Sequence, residues 1–463
     1  MERLLSHATI VTMNPRREII EDGAIYVSGE RIGAVGLAAD LQHKYPQAEV
    51  VDCTGRVIIP GMVNTHTHLF QTLLKGLGDD RPLTDWFTSM TTPSAVELTP
   101  EDCYAAALHG CVESIKSGVT TLVDFMYVHP RPGLTEPVIR AFEESGIRGF
   151  VGRGYLTAGA EFGVPTRLIE PLEVALADAR RLIRQVNRPG GRVQVALAPC
   201  MIWGVDRETL EQTRRLADEE GALITFHVAE TTFEIQTSLQ RFGMRDLPYL
   251  EHLGFLGPDV LAVHCVECDN RDIRLLKLRD VKVSHNPCSN LYLASGFAPI
   301  PSMLVAGVTV SLATDGPASN NNMNLIHCLK FTALMHKGYH RDATIITAEK
   351  VLEMATIDGA RAVGLDKEIG SIEPGKKADV VVLHFDNFFA TPMHNPVSTL
   401  VYSALGNEPE LVMIDGQVVM AGRVMQTVSE AQVMGLAAAA ANGVSERAGT
   451  ARFKRRAWRS LAA

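Results

Sequence analysis

Fifteen histidines are scattered through the 463 residues, and five of them, with one aspartate, share a kind of position. His66 and His68 follow Pro60-Gly-Met-Val-Asn-Thr, His227 follows Leu223-Ile-Thr-Phe, and His264 follows Val260-Leu-Ala-Val. His285 follows Val281-Lys-Val-Ser, and Asp315 follows the run Val308 to Thr314. Each stands at the end of a short apolar, β-branched stretch of strand character. His66 and His68 are two residues apart, a spacing that turns both side chains to the same face of a strand. Imidazoles with a carboxylate suit a divalent ion such as zinc, with one position left open for water in catalytic sites. A lone His-x-His pair has about even odds of being structural. Five histidines and an aspartate at strand ends predict a mononuclear hydrolytic centre, provided that the fold gathers those ends.

Eight strand-like runs alternate with amphipathic segments through the middle of the chain. They are Val57 to Pro60 (leading to Asn64–His68), Val119 to Asp124, Gly149 to Val151 (leading to Arg153) and Arg192 to Leu197 (leading to Cys200). Leu223 to Phe226, Val260 to Val263, Val281 to Ser284 and Val308 to Ala313 complete the set. Helical signals separate them. Thr99-Pro100-Glu101, for example, reads as a cap with proline in the first turn of a helix running to Lys116 before Gly118. Near-continuous apolar strands between helices predict an α/β fold, a closed (β/α)₈ barrel of the TIM type, whose strand ends open onto one mouth.

Both chain ends read differently, as short alternating strands punctuated by Gly and Asp, and are expected to fold together as a small β-sandwich beside the barrel. The expected division is residues 1–58 and 366–430 for the sandwich, 59–365 for the barrel and 431–463 for a solvated, helical, basic tail. Within that tail Leu436-Ala-Ala-Ala-Ala-Ala lies either on its own chain or against a partner. A net charge of −9 argues against a polyanionic partner, and no nucleic acid is expected. No apolar run approaches the length of a membrane span, and the first residues lack the apolar core of a signal peptide. Eight scattered cysteines do not form a disulfide framework, and Cys265-Val-Glu-Cys268 reads as two buried thiols. A cytoplasmic protein with a small-molecule partner is the expectation.

On this background the chain resembles the amidohydrolase superfamily, in the branch of methylthioadenosine/S-adenosylhomocysteine deaminases, guanine-type deaminases and s-triazine hydrolases. The motifs that carry the likeness are Pro60-Gly-Met-Val-Asn-Thr-His-Thr-His-Leu69, His227-Val-Ala-Glu230, His264-Cys265, Ser284-His-Asn-Pro-Cys-Ser-Asn290, Thr314-Asp-Gly-Pro-Ala-Ser-Asn320 and Ile372-Glu-Pro-Gly-Lys-Lys-Ala-Asp379. The resemblance implies His66, His68, His227 and Asp315 as metal ligands, with His264 in the catalytic set and its ligand role open. Asp315 would also take the proton of the metal-activated water, and Glu230 would protonate a ring nitrogen and pass a proton to the leaving amine. The fourth strand, Val193-Gln-Val-Ala-Leu-Ala, contains no lysine to bridge a second ion, so one metal per subunit is implied. Zinc is the default for imidazole ligands, with iron, cobalt and manganese as the other options. Relatives in this branch are commonly dimers or larger, which implies a homo-oligomer.

Gln71, Ser319 and Asn320 occupy motif positions that lie near the ring in triazine hydrolases. Trp86, Arg153, Cys200, His285 and Asn290 complete the expected substrate contacts. Leu83, Met90, Tyr127, Met201 and Trp203 add a mostly apolar, flat-surfaced wall suited to a planar or lipophilic molecule. Nucleoside-type deaminases of the branch usually carry a histidine after the Ala-Pro of strand 4, where this chain has Cys200-Met201-Ile202-Trp203. The leading expectation is displacement of ammonia, an amine or another leaving group from an electron-poor N-heteroaromatic ring, s-triazine-, purine- or pterin-like. The alternative is hydrolysis of an acyclic urea, carbamate or amide, and the last is a catalytically dead scaffold.

Overall fold

The computed structural model describes residues 2–455 and residue 458. Part of the basic stretch at the carboxyl end, expected to be a solvated tail, therefore lies outside the described residues. Eight parallel strands form one sheet: β1 Met62–Thr67, β2 Val119–Met126, β3 Arg148–Tyr155, β4 Val193–Pro199, β5 Ile224–Val228, β6 Val260–His264, β7 Lys282–His285 and β8 Val310–Leu312. They pair in sequence order with helices between them, as the barrel requires. The helix Pro100–Lys116 begins with a reciprocal capping box between Thr99 and Asp102, which satisfies its first free amides.

Side chains close the barrel. β8 and β1 share no ladder in the sheet. Instead Asn64 donates to Thr314 Oγ1 at 2.8 Å and accepts from the Thr314 amide at 3.1 Å, while the Asp315 amide donates to the His66 carbonyl at 3.2 Å. Thr65 Oγ1 lies 2.8 Å from the hydroxyls of both Ser284 and Ser311. All these polar groups are buried, so leaving them unpaired would destabilise the closure.

One expected strand is relocated. The run Val57–Pro60, read as the start of the first barrel strand, belongs to the second sheet, where Arg56–Pro60 pairs antiparallel with Val380–His384. Gly61 makes the passage between the sheets, because a Cβ there would meet Thr120 Oγ1 at 2.0 Å. A strand covered on both faces reads as continuously apolar, which hid the alternation: Val57 and Ile59 enter the barrel core, whereas Ile58 packs with Leu5, Ile25 and Val382 on the other face. The strands expected to form a sandwich make a single mixed sheet of nine strands drawn from both chain ends. Arg148, at the start of β3, fastens it to the barrel through Asp379 (2.9 and 3.2 Å) and Asp415.

The expected solvated tail includes a helix, Glu430–Arg447, that packs on its own chain. Val433, Ala437 and Val444 are buried, and Lys116 binds Glu430 at 2.7 Å. All eight cysteines are free and buried. Among the described residues no helix is long and apolar enough to cross a membrane.

Candidate active site

The strand ends converge as the parallel topology demands. His66, His68 and His227 offer nitrogen atoms within 4.8 Å of one another, and His66, His264 and Asp315 form a second such group. Asp315 Oδ1 lies 3.3 Å from His66 Nε2 and 3.4 Å from His68 Nε2. His68 Nδ1 is 2.7 Å from the Phe125 carbonyl, and His227 Nδ1 is 2.7 Å from the Cys200 carbonyl. A carbonyl only accepts, so both rings carry their proton on Nδ1 and turn bare Nε2 lone pairs inward. Those two Nε2 atoms face each other across 3.3 Å, a repulsive arrangement unless a cation lies between them. Neither nitrogen of fully buried His66 has a hydrogen-bond partner. Burial also pushes the imidazoles toward their neutral, ligating form, His68 down to about 3 and His227 well below its ordinary value. The donor set therefore fits a divalent metal ion, which His66, His68, His227 and Asp315 would hold.

Several of these ends are held in a backbone conformation that L-residues rarely adopt. His264 has φ 70°, Asp315 φ 60° and Ala229, just before Glu230, φ 49°. Such strain persists only where the surroundings fix it. Ser289 and Ser319 donate to Asp315 Oδ2 at 2.5 and 3.0 Å, and the Gly316 amide donates to Oδ1 at 2.6 Å. A side chain at Gly316 would collide with Gln71, since its Cβ would lie 2.0 Å from Oε1. Burial would raise the pKa of Asp315, but the imidazoles of His66 and His68 packed against its Oδ1 outweigh that and hold the carboxyl well below the usual range.

Glu230, just past β5, faces His264 at the end of the neighbouring strand β6, Oε2 lying 3.6 Å from Nε2. His264 donates through Nδ1 to Asn290 Oδ1 at 2.9 Å, which turns Nε2 toward Glu230, and Ser295 donates to Glu230 Oε1 at 3.2 Å. Burial raises the Glu230 carboxyl, favouring the protonated acid. Two further buried carboxyls clamp its backbone. The Glu230 amide donates to Glu234 Oε2 at 2.6 Å, and the Ala229 amide donates to Asp246 Oδ2 at 3.1 Å. Burial pushes Glu234 well up and Asp246 up to about 6.

A cavity opens above these groups. Gln71, Trp86 and Cys200 line it, as expected, and Gln71 is fully buried with neither amide atom partnered. Asn290 and Ser319 act one layer behind, on His264 and Asp315. Three more expected contacts are also absent from its lining. Arg153 points outside the strands to Glu170 and Asp178, both at 2.8–2.9 Å. Asn320 donates to the Thr314 carbonyl at 3.1 Å, and His285 packs beside His336. Phe87, Phe162, Phe233 and Glu234 line the cavity without having been singled out in the sequence. Glu234 had a usable signal, four residues beyond Glu230, whereas Phe87, Phe162 and Phe233 lie in separate helical segments after three different strands, with no shared spacing.

Comparison with known proteins agrees with this geometry. The Amidohydrolase family model matches residues 57–419. The chain is 39% identical to a 5'-deoxyadenosine deaminase of Methanothermobacter thermautotrophicus, over 91% of this chain and 95% of that one. It is 36% identical to a 5-methylthioadenosine/S-adenosylhomocysteine deaminase of Syntrophomonas wolfei, over 94% and 97% of the two chains. Among solved structures it superposes on an adenosine deaminase of Xanthomonas campestris with bound zinc, with a TM-score of 0.90, 30% identity and coverage of 96% and 98%. A zinc complex of atrazine chlorohydrolase from Arthrobacter aurescens gives a TM-score of 0.90 at 26% identity, covering 95% and 100%. The chain thus belongs to the amidohydrolase family, and is a hydrolase acting on carbon–nitrogen bonds.

Proposed function

We propose that the enzyme uses one zinc ion per subunit to displace an amine from an electron-poor carbon of an N-heteroaromatic ring, with water as the nucleophile. The observation that carries this reading is Glu230: a buried carboxyl, raised toward its acid form, facing His264 beside the metal-ligand cluster and opening on the substrate cavity. A divalent ion bound by the ligand set supplies Lewis acidity, which lowers the pKa of water from 15.7 toward about 7. Asp315 accepts the proton that the water loses as its oxygen adds to the ring carbon. Glu230 gives its proton to the adjacent ring nitrogen, drawing electron density from that carbon, then takes the proton of the added hydroxyl and delivers it to the departing nitrogen as the carbon–nitrogen bond breaks, and the proton held on Asp315 returns through solvent to restore the Glu230 acid. The products are a hydroxylated ring, or its keto tautomer, and ammonia or an amine. His264 orients the water and the attacked carbon, and the free amide of Gln71 binds a ring nitrogen or carbonyl.

A screen of zinc-replete protein against aminopurines, amino-s-triazines, phenylureas and carbamates tests this. Ammonia from the ring amines is the expected product. Aniline or another amine from the ureas, with the ring amines left intact, would replace this reading by hydrolysis of an acyclic bond. Chelation should remove activity in proportion to the metal lost, and added zinc should restore it.

A further inference from the structure

Four aromatic rings stand over the outer half of the cavity. Phe87 follows β1, Phe162 follows β3, Trp203 follows β4 and Phe233 follows β5, so four separate connections deliver them to one place. Trp203 is the hub. Its ring centroid is 5.5 Å from Phe87, 5.9 Å from Phe162 and 6.0 Å from Phe233, and Phe162 lies 5.6 Å from Phe233, all edge to face. Phe162 and Phe233 are only half-buried, so part of each ring is still uncovered beside the cavity.

Polar side chains on this wall are few. Thr88 donates its hydroxyl to the Thr84 carbonyl at 2.8 Å, leaving the Thr84 hydroxyl as the free donor at the rim. Among the described residues no Arg or Lys lines the cavity: Arg81 binds Asp85 at 2.6 Å, Arg153 binds Glu170 and Asp178, and Arg241 reaches the Ile202 and Trp203 carbonyls at 3.4 Å from behind the wall. The charged groups of the lining are Asp315 of the ligand set and the carboxyls of Glu230 and Glu234, and the Glu234 carboxyl is engaged by the Trp203 side chain and the Glu230 amide.

Resting on the ring-hydrolysis reading above, we infer that the aromatic wall is a subsite for an apolar substituent, alkyl or aryl, carried by the ring whose amine is displaced. With the amine-bearing carbon at Glu230 and His264, the rest of the ring occupies the inner half and its substituent projects between Trp203, Phe162 and Phe233. An apolar group there gains contact with three ring surfaces and loses no hydrogen bonds. A sugar or a carboxylate chain gives up water for a wall that offers one threonine hydroxyl. The same inference separates this chain from relatives whose names denote nucleoside substrates.

The test uses two rings, adenine and 2,4-diamino-s-triazine, each carrying a propyl, a polyhydroxylated or a carboxyethyl substituent, with kcat/KM read from ammonia release. Propyl should be preferred on whichever ring is turned over, by about tenfold or more. Phe162→Ala and Phe233→Ala should narrow that preference by raising KM for the propyl compound several-fold while kcat moves less than twofold. Calorimetry with the deaminated propyl product supplies a readout independent of turnover, and each variant should weaken its binding by a similar factor. Equal or better kcat/KM for the hydroxylated substituent, or unchanged product binding in both variants, would overturn the subsite and leave the deaminase reading intact. Ammonia from none of the compounds would overturn both.

Discussion

At the amino-terminal end of the barrel, Arg148 is almost wholly buried, yet it meets two carboxylates, Asp379 and Asp415, and each charge has a partner. At the opposite end, equally buried His66 keeps both ring nitrogens unbonded, and Gln71 does the same with its amide. The two regions share burial and polarity and differ in satisfaction. A paired buried charge fastens one sheet to another, whereas a set of polar atoms left without partners waits for something that is not the protein. Arg153 belongs to the first kind although it sits at the mouth, because Glu170 and Asp178 occupy it.

Substitutions can break this contrast, beginning where the effect is largest. His66→Ala or Asp315→Ala should lower kcat by at least about 10⁴-fold, and elemental analysis should show metal content falling with it. If either variant keeps metal and rate, the unpartnered atoms are not ligands. Arg148→Ala should instead destabilise the fold by about 3–5 kcal/mol in urea unfolding, with kcat of the folded fraction close to that of the parent. Glu230→Gln should cut kcat by about 10²-fold or more while metal stays bound, since the amide keeps the shape and loses the proton.

Smaller effects sharpen the contrast within the clamp behind Glu230. Glu234→Leu should reduce kcat by about tenfold by freeing the Glu230 amide, and Glu234→Gln, which keeps an acceptor, should recover most of it. Asp246 yields a pH signature. Burial raises its carboxyl from 3.8 to about 6, so the folded chain binds this proton more tightly than the unfolded one. Its contribution to stability is complete below about pH 4 and is lost as pH rises through about 6. Asp246→Asn should flatten that part of the curve of unfolding free energy against pH.

The convergence of His66, His68, His227, His264 and Asp315 was legible in the sequence because each stands at a strand end, and a parallel barrel brings all such ends to one face. Arg153 occupies the same kind of position and was misplaced for a reason of parity. Successive residues of a barrel strand point alternately in and out, and Gly152-Arg153-Gly154 carries nothing to say which is which. Val57–Pro60 misled in a related way, since a strand packed on both faces has the same apolar texture in either sheet. The aromatic wall was only partly visible: Trp203 stood out beside the strand-4 motif, but Phe87, Phe162 and Phe233 meet it only in three dimensions. Asn64, Thr65 and Thr314 were read as motif letters, and their joining of the first and last strands emerged from the fold alone.

That joint has a mechanical meaning. His66 and Asp315 stand on opposite lips of the slit where the cylinder meets itself, 3.3 Å apart. A cation gripping both would act as a clasp, so that loading the enzyme and locking its staves would be one event, and the amides beside the slit should then be the first to exchange hydrogen once the ion is withdrawn.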